Sequence, residues 1–405
     1  MNETKRVLQR FDLPKIAFGA WLIAFAVVAI RVLVQGAEKH SVYPPYMLAA
    51  HRWLAGQDLY TPDNLKFRYS PLFAVGFTPF TYLSDRLGAI LWRLINVGVF
   101  AIGLRWCSRT LLPRIGANAM SILFLIALPL VVPSLNNGQT NPLMTGLILC
   151  AFAALAHEMW TFSAALLVLA IFLKLYPLAA ALLLVALYPK RLGWRFIALL
   201  LGGIALSFCL QSPPFVVRQF AGWFEYLRDD LRLDLPPDAA YRDLRLVLNV
   251  SGLHPDPLLY FVLQMASAAA IAIACVYAKR RGIARNDLLL ITCSFASCWM
   301  LLLGPSTESC TYALAAAPIG WFFLQSSARP RFYRITLWSA AALLIVGFVG
   351  AWFPFVTHVH AIGEQPLAML LVLGCAIYEL RCALAAAENR THLATDTAPA
   401  ITSLP

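Results

Sequence analysis

Residues Ile16–Val34, IAFGAWLIAFAVVAIRVLV, decide the fold class. The run falls within the roughly 17–25 residues needed to cross the ~30 Å hydrocarbon core of a bilayer. It lacks the apolar–polar alternation of a barrel strand, so a helix is the structure that satisfies its backbone there. Lys5, Arg6, Arg10 and Lys15 precede it, which places the N-terminus in the cytoplasm. No small-residue cleavage site follows the apolar core, so the span is read as retained.

Working outward, further apolar runs lie at about Leu87–Leu104, Asn118–Val132, Pro142–His157, Phe196–Leu210, Leu258–Ala278, Leu288–Leu303, Tyr312–Leu324, Ile335–Phe353 and Leu367–Leu384. Thr161–Tyr188 contains Lys174 and Pro177 and reads as two short helices. Pro71–Leu83, with Pro79 inside it, is too short to span and reads as re-entrant or interfacial. Hydrophobic residues make up 60% of the 405 residues and charged ones 13%, against about a quarter charged in soluble domains. Mean hydropathy is +0.70. The expected fold is an all-α polytopic membrane protein of about ten to twelve transmembrane helices, one embedded domain over 1–390 with a disordered cytoplasmic tail over 391–405.

The net charge of +12 belongs to short connectors: Arg105, Arg109 and Arg114; Lys190, Arg191 and Arg195; Lys279, Arg280, Arg281 and Arg285; Arg329, Arg331 and Arg334. These are topogenic signals rather than a nucleic-acid footprint. With the connectors cytoplasmic, Gln35–Ser70, Leu135–Gln139, Gln211–Pro257, Gly304–Cys310 and Pro354–Gln365 emerge together on the other face. Both termini are then cytoplasmic, and a plasma (inner) membrane location is expected. The nine cysteines are scattered, mostly within apolar runs, and support neither zinc nor disulfides. No Walker motif, no GxGxxG after a strand and no HExxH occurs.

Chemistry-bearing residues gather on the non-cytoplasmic face. In the first loop, Tyr43–Ala55 fits an interfacial amphipathic helix stopped by Gly56, flanked by Glu38, His40 and Asp58. Lys66 and Arg68 enter the short apolar hairpin, where they suit either a lipid phosphate or plain interfacial anchoring. The turn Asn136-Asn137-Gly138-Gln139-Thr140-Asn141 holds amides suited to sugar hydroxyls or a phosphate, beside ordinary turn chemistry. Lys174, followed by Tyr176 and Pro177, is a costly charge at membrane depth and a functional candidate. The second loop carries Arg218, Arg228, Arg232, Arg242 and Arg245 with Asp229, Asp230, Asp234, Asp238 and Asp243, readable as phosphate recognition or as internal Arg–Asp pairing. Glu308 heads a late span among hydroxyls, as a proton acceptor or within a helix cap.

In this order the pieces resemble the polytopic GT-C glycosyltransferases, and most closely glycosyltransferase family 87, the polyprenyl-phosphate-mannose-dependent α-mannosyltransferase type. The carrying elements are Ala49-Ala50 through Leu54-Ala55-Gly56 to Tyr60, Tyr69-Ser70-Pro71-Leu72-Phe73 with Pro79, and Leu91-Trp92 with Asn96. Gly138-Gln139-Thr140-Asn141, Lys174-Leu175-Tyr176-Pro177 and Pro305-Ser306 complete them. The resemblance implies an inverting transfer of a hexose, mannose in the type case, from a polyprenyl-phosphate carrier to a lipid or glycan acceptor. It implies no separate cofactor. The family's loop acid ahead of the interfacial helix is absent around Ser41–Val42, which leaves Glu38, His40 or Asp58 to substitute. The family's late histidine motif reads Thr307-Glu308 here.

The expected base is therefore Glu308, Glu38 or Asp58. Arg68, Lys174, Tyr176, Arg218 and Arg228 are expected on the carrier, and Asn137, Gln139 and Asn141 around substrate. Expected partners are the lipid-linked donor, the acceptor and membrane lipids, without nucleic acid or metal. A transporter or flippase of a lipid-linked sugar or anionic lipid, and an inactive member of the same fold, stand as the alternative readings.

Overall fold

The computed structural model describes residues 12–64, 67–229, 236–237, 239–350 and 362–396. Lys5, Arg6 and Arg10, Lys66, Asp230, Arg232, Asp234, Asp238 and the stretches 354–361 and 397–405 lie outside the described residues. All regular structure among the described residues is helical. The helices in chain order are α1 Leu13–Gln35, α2 Tyr43–Ala55, α3 Pro71–Phe77, α4 Asp85–Leu111, α5 Ala117–Asn137, α6 Asn141–Ala156, α7 Trp160–Leu173 and α8 Leu178–Leu187. They continue with α9 Trp194–Leu210, α10 Pro213–Asp229, α11 Leu244–Val250, α12 Pro257–Arg280, α13 Arg285–Leu302, α14 Ala316–Gln325, α15 Arg331–Gly350 and α16 Glu364–Asp396. The helix at α16 carries on past Arg390 into the stretch read from sequence as a tail.

Seven helices among the described residues are long and apolar enough to cross a membrane, and α6, α7 and α8 are shorter apolar helices. Their surfaces are inverted relative to a soluble bundle. On α12, Leu258, Leu259, Phe261, Val262 and Ile273 are exposed, and on α1 so are Phe18, Leu22, Ile23 and Val27. An apolar belt of this extent is a lipid-facing surface. The chain is an all-α polytopic membrane protein.

Local chemistry sets the helix ends. Asp256 caps α12, its carboxylate accepting from Leu259 N at 2.9 Å, with Pro257 at the first position. Ser70 caps α3 in the same way, with Pro71 following. Gly56 ends α2 at φ 66°, a left-handed residue at the helix end. The Pro71–Leu83 segment becomes α3 and a 3-10 turn over Thr78–Tyr82. It packs against α2 through stacked rings of Tyr69, Phe73, Phe77 and Phe80, with Tyr46 and Trp92 edge-on.

The α4–α6 pair is the most extensive in the bundle. Gly103 and Gly146 let the two backbones touch: a Cβ on Gly103 would lie 2.3 Å from Gly146 O, and one on Gly146 would lie 2.4 Å from Val99 O. Small residues are what permit such close crossings in a bilayer. Gly103→Val and Gly146→Val are each expected to cost about 1–3 kcal/mol or more, read as a lower thermal midpoint in detergent, with Gly98→Val, where a Cβ meets open space, as the control.

Candidate active site

The site is built on the turn between α5 and α6. Helix α5 ends at Asn137, Gly138 takes the left-handed φ of 72°, and α6 restarts at Asn141-Pro142. Helix α4 clamps this turn. Trp92 Nε1 donates to Gly138 O at 2.9 Å. The buried Arg93 donates from Nε to Leu135 O at 2.7 Å and from Nη2 to Asn136 O at 3.2 Å and Ser41 Oγ at 3.1 Å. Arg31 also donates to Asn136 O. Two guanidinium groups thus meet the carbonyl end of α5, where its dipole is negative. Asn96 Oδ1 accepts from Leu143 N at 3.2 Å, and Val42 N donates to Asn137 O at 2.9 Å.

Arg93 is a residue the sequence reading missed; a lone arginine within an apolar run was the signal. A Cβ on Gly138 would press against Arg93 Nη2 at 3.0 Å. Gly138→Ala is therefore expected to cost about 1–2 kcal/mol from the left-handed backbone alone, more with the contact, and thermal unfolding measures it.

A cavity of about 640 Å³ opens above this turn. Glu308, Arg68, Gln139, Lys174, Tyr176, Asn137 and Arg228 all line it, so the late span, the first loop, the amide turn, the α7–α8 break and the second loop converge. Glu308 Oε2 accepts from Gln139 Nε2 at 2.7 Å, and Oε1 accepts from Arg68 Nη1 at 3.3 Å. The same carboxylate closes a capping box with Thr311 at the start of the 3-10 turn Ser309–Ala315. The cap and a place on the cavity wall thus fall on one side chain.

Behind Gln139, the buried Asn141 has both ends of its amide engaged. Its Nδ2 donates to Gln139 Oε1 at 2.7 Å and Ser134 Oγ at 3.2 Å. Its Oδ1 accepts from Lys174 Nζ at 2.7 Å and Tyr176 OH at 3.1 Å. This pattern fixes the amide orientation. A chain of bonds links Lys174 through two amides to Glu308, with the Lys174 ammonium between the rings of Tyr69 and Tyr176 at 5.9 and 5.7 Å. Lys174 sits in the break between α7 and α8, the two short helices read from Thr161–Tyr188. Burial pushes the Tyr69 hydroxyl well above its ordinary pKa, so it faces the cavity as a neutral phenol.

The other sequence candidates are placed differently. Glu38 is exposed and does not line the cavity, whereas His40 does, at φ 51°. Asp58 accepts from Gln219 Nε2 at 2.8 Å and lies 3.9 Å from Arg218 Nε, and neither Asp58 nor Arg218 lines the cavity. The two halves of the second loop are placed differently. Helix α10 brings Phe224, Leu227 and Arg228 to the cavity wall. Further on, Arg242 N donates to Thr307 O at 2.6 Å and Arg245 Nη2 to Pro255 O at 2.8 Å. Asp243 caps α11, its carboxyl pushed up to about 7 by burial. That half of the loop pins the backbone next to Glu308. Ser306, which also lines the cavity, adopts φ 59°, a strained value for a non-glycine residue. Among the described residues no group of three His, Cys, Asp or Glu side chains is placed to hold a metal ion.

The arrangement offers a carboxylate and several cations to one water-accessible space, with amides between them. That is the equipment for taking a proton while stabilising an anionic leaving group. No curated protein matches the chain. A family model described as glycosyltransferase family 87 matches residues 67–305. The match takes in Arg68, the amide turn, Lys174 and Arg228, begins beyond Glu38 and Asp58, and stops just before Glu308. It covers more than half of the chain, which belongs to glycosyltransferase family 87.

Proposed function

We propose that this membrane glycosyltransferase moves a hexose, mannose in the first instance, from a polyprenyl-phosphate carrier to a lipid or glycan acceptor on the non-cytoplasmic face. The observation that carries the reading is the shared cavity of Glu308 with Arg68, Lys174 and Arg228. Glu308 takes the proton of the acceptor hydroxyl as its oxygen attacks the anomeric carbon from the side opposite the phosphate, inverting that centre. The carrier phosphate departs with its charge held by Arg68, Lys174 and Arg228. Gln139 and Asn137 meet sugar hydroxyls. The lipid-linked sugar is the donor itself, so no separate cofactor enters.

Sidedness follows from charge. Helix α6 runs from the cavity at Asn141 to Ala156, and α13 runs back from Arg285 to Leu302. The basic connectors therefore lie at the end of the bundle away from the cavity, and the positive-inside tendency puts that end in the cytoplasm. Incubating the protein in lipid vesicles with radiolabelled polyprenyl-phosphate-mannose, polyprenyl-phosphate-glucose and candidate acceptors tests the reading. Transfer from a polyprenyl-phosphate sugar is expected; transfer from nucleotide sugars alone would contradict it.

A further inference from the structure

A second recess, of about 570 Å³, lies at the end of the bundle opposite the cavity. It is bounded by the α6–α7 turn, the residues after α8, the end of α12 and the start of α13. Its lining carries four cations, Lys190, Arg191, Lys279 and Arg285, against one carboxylate, Glu158. Glu158 is held at φ 60°, a conformation that costs a non-glycine residue energy. There it accepts from Arg285 Nη1 at 2.8 Å and Arg191 Nη1 at 3.4 Å. That one carboxylate leaves the cluster strongly positive. The cations are also oriented. Arg191 and Arg285 lie over Trp160 at 5.4 and 5.5 Å, and Lys279 over Tyr188 at 4.0 Å. Residues Pro189–Gly193 form a π-turn, a rare geometry that recurs at functional positions.

We propose that this recess binds the phosphate headgroup of an anionic membrane lipid. Topogenic charge alone needs only Lys and Arg near a helix end; it does not need a recess, aromatic platforms or a strained carboxylate. A membrane lipid fits better than free phosphate because the helices around the recess carry exposed apolar side chains. Helix α8 has 10 residues, about 15 Å of helix, which ends short of a full crossing. Leu182 on α8, Trp194 and Ile197 on α9, and Ile273 on α12 are exposed on the helices that bound or follow it. An acyl chain would lie along them while the phosphate meets the cations, as basic pockets between transmembrane helices do elsewhere.

The test titrates the purified full chain, in a zwitterionic detergent, with phosphatidylglycerol, phosphatidylcholine or inorganic phosphate. Thermal midpoint and lipid retained in native mass spectra are read together. Phosphatidylglycerol is expected to raise the midpoint saturably and to be retained at low stoichiometry, while the other two are not. The single variant Lys190→Glu, at an exposed position, and the double variant Lys190→Gln/Lys279→Gln are expected to lose that retention several-fold. Arg331→Gln/Arg334→Gln, at another basic connector, is expected to keep it. Equal loss in both double variants would reduce the effect to diffuse surface charge and overturn the proposal. Full reproduction by inorganic phosphate, or unchanged retention in Lys190→Glu, would overturn it as well.

Discussion

Glu308→Gln is expected to lower kcat/KM for sugar transfer by about 10²–10⁴-fold, the range for removing a general base. The substitution keeps the side-chain length but removes the group that takes the proton. It also turns an amide nitrogen toward either Arg68 or Gln139, both of which donate to Glu308. A donor facing a donor costs about 1–3 kcal/mol when buried, and here less, because the Glu308 side chain is 30% exposed. The protein should therefore fold with a modestly lower thermal midpoint while turnover falls far more. Glu38→Gln and Asp58→Asn should leave transfer close to that of the parent. Loss of transfer in either, with Glu308→Gln active, would move the base into the first loop.

Lys174→Met is expected to reduce kcat by about 10²–10³-fold, the scale for deleting one preorganised electrostatic stabiliser. The loss should fall on kcat more than on KM, because the phosphate charge grows as the bond to the sugar breaks. The fold should tolerate the change. Asn141 Oδ1 keeps its bond from Tyr176 OH, and methionine fills the space between the two tyrosine rings. Lys174→Arg should not rescue, since a planar guanidinium cannot replace a compact ammonium donating to Asn141 at 2.7 Å. Steady-state kinetics in nanodiscs with a polyprenyl-phosphate sugar separate kcat from KM. A change confined to KM would place Lys174 in uniform substrate binding instead.

Much of the architecture was legible because a bilayer leaves few options. Apolar run length marked the seven long helices among the described residues, fewer than the roughly ten to twelve expected. The run Tyr312–Leu324 folded as the end of a 3-10 turn and the ten-residue α14. The breaks at Pro71 and Lys174-Pro177 marked the start of α3 and the division between α7 and α8. Boundaries were less legible. Helix α4 extends to Leu111, beyond the apolar run ending at Leu104, because polar residues near a helix end continue the helix without being apolar. In α5, Pro129 and Pro133 are absorbed within the helix, as neighbouring helices allow in membranes.

The site was legible as separate residue types, not as a constellation. Glu308 and Arg68 stood out as charges where an apolar run begins, Gln139 as an amide in a turn and Lys174 as a charge within an apolar run. Their common cavity depends on long-range contacts such as Gln139 to Glu308, which no local pattern encodes. For the same reason the sequence could not separate Arg228, at the cavity wall, from Arg218, paired with Asp58. Arg93 was overlooked since its role, holding the carbonyl end of α5, exists only once α4 and α5 are packed.

The most direct test of the central claim is a structure of the protein in nanodiscs with a non-transferable polyprenyl-phosphate sugar analogue. The phosphate is predicted within hydrogen-bond reach of Lys174 or Arg68, with the anomeric carbon turned toward Glu308. A phosphate seated in the basic recess beside Glu158, with the Glu308 cavity empty, would contradict it.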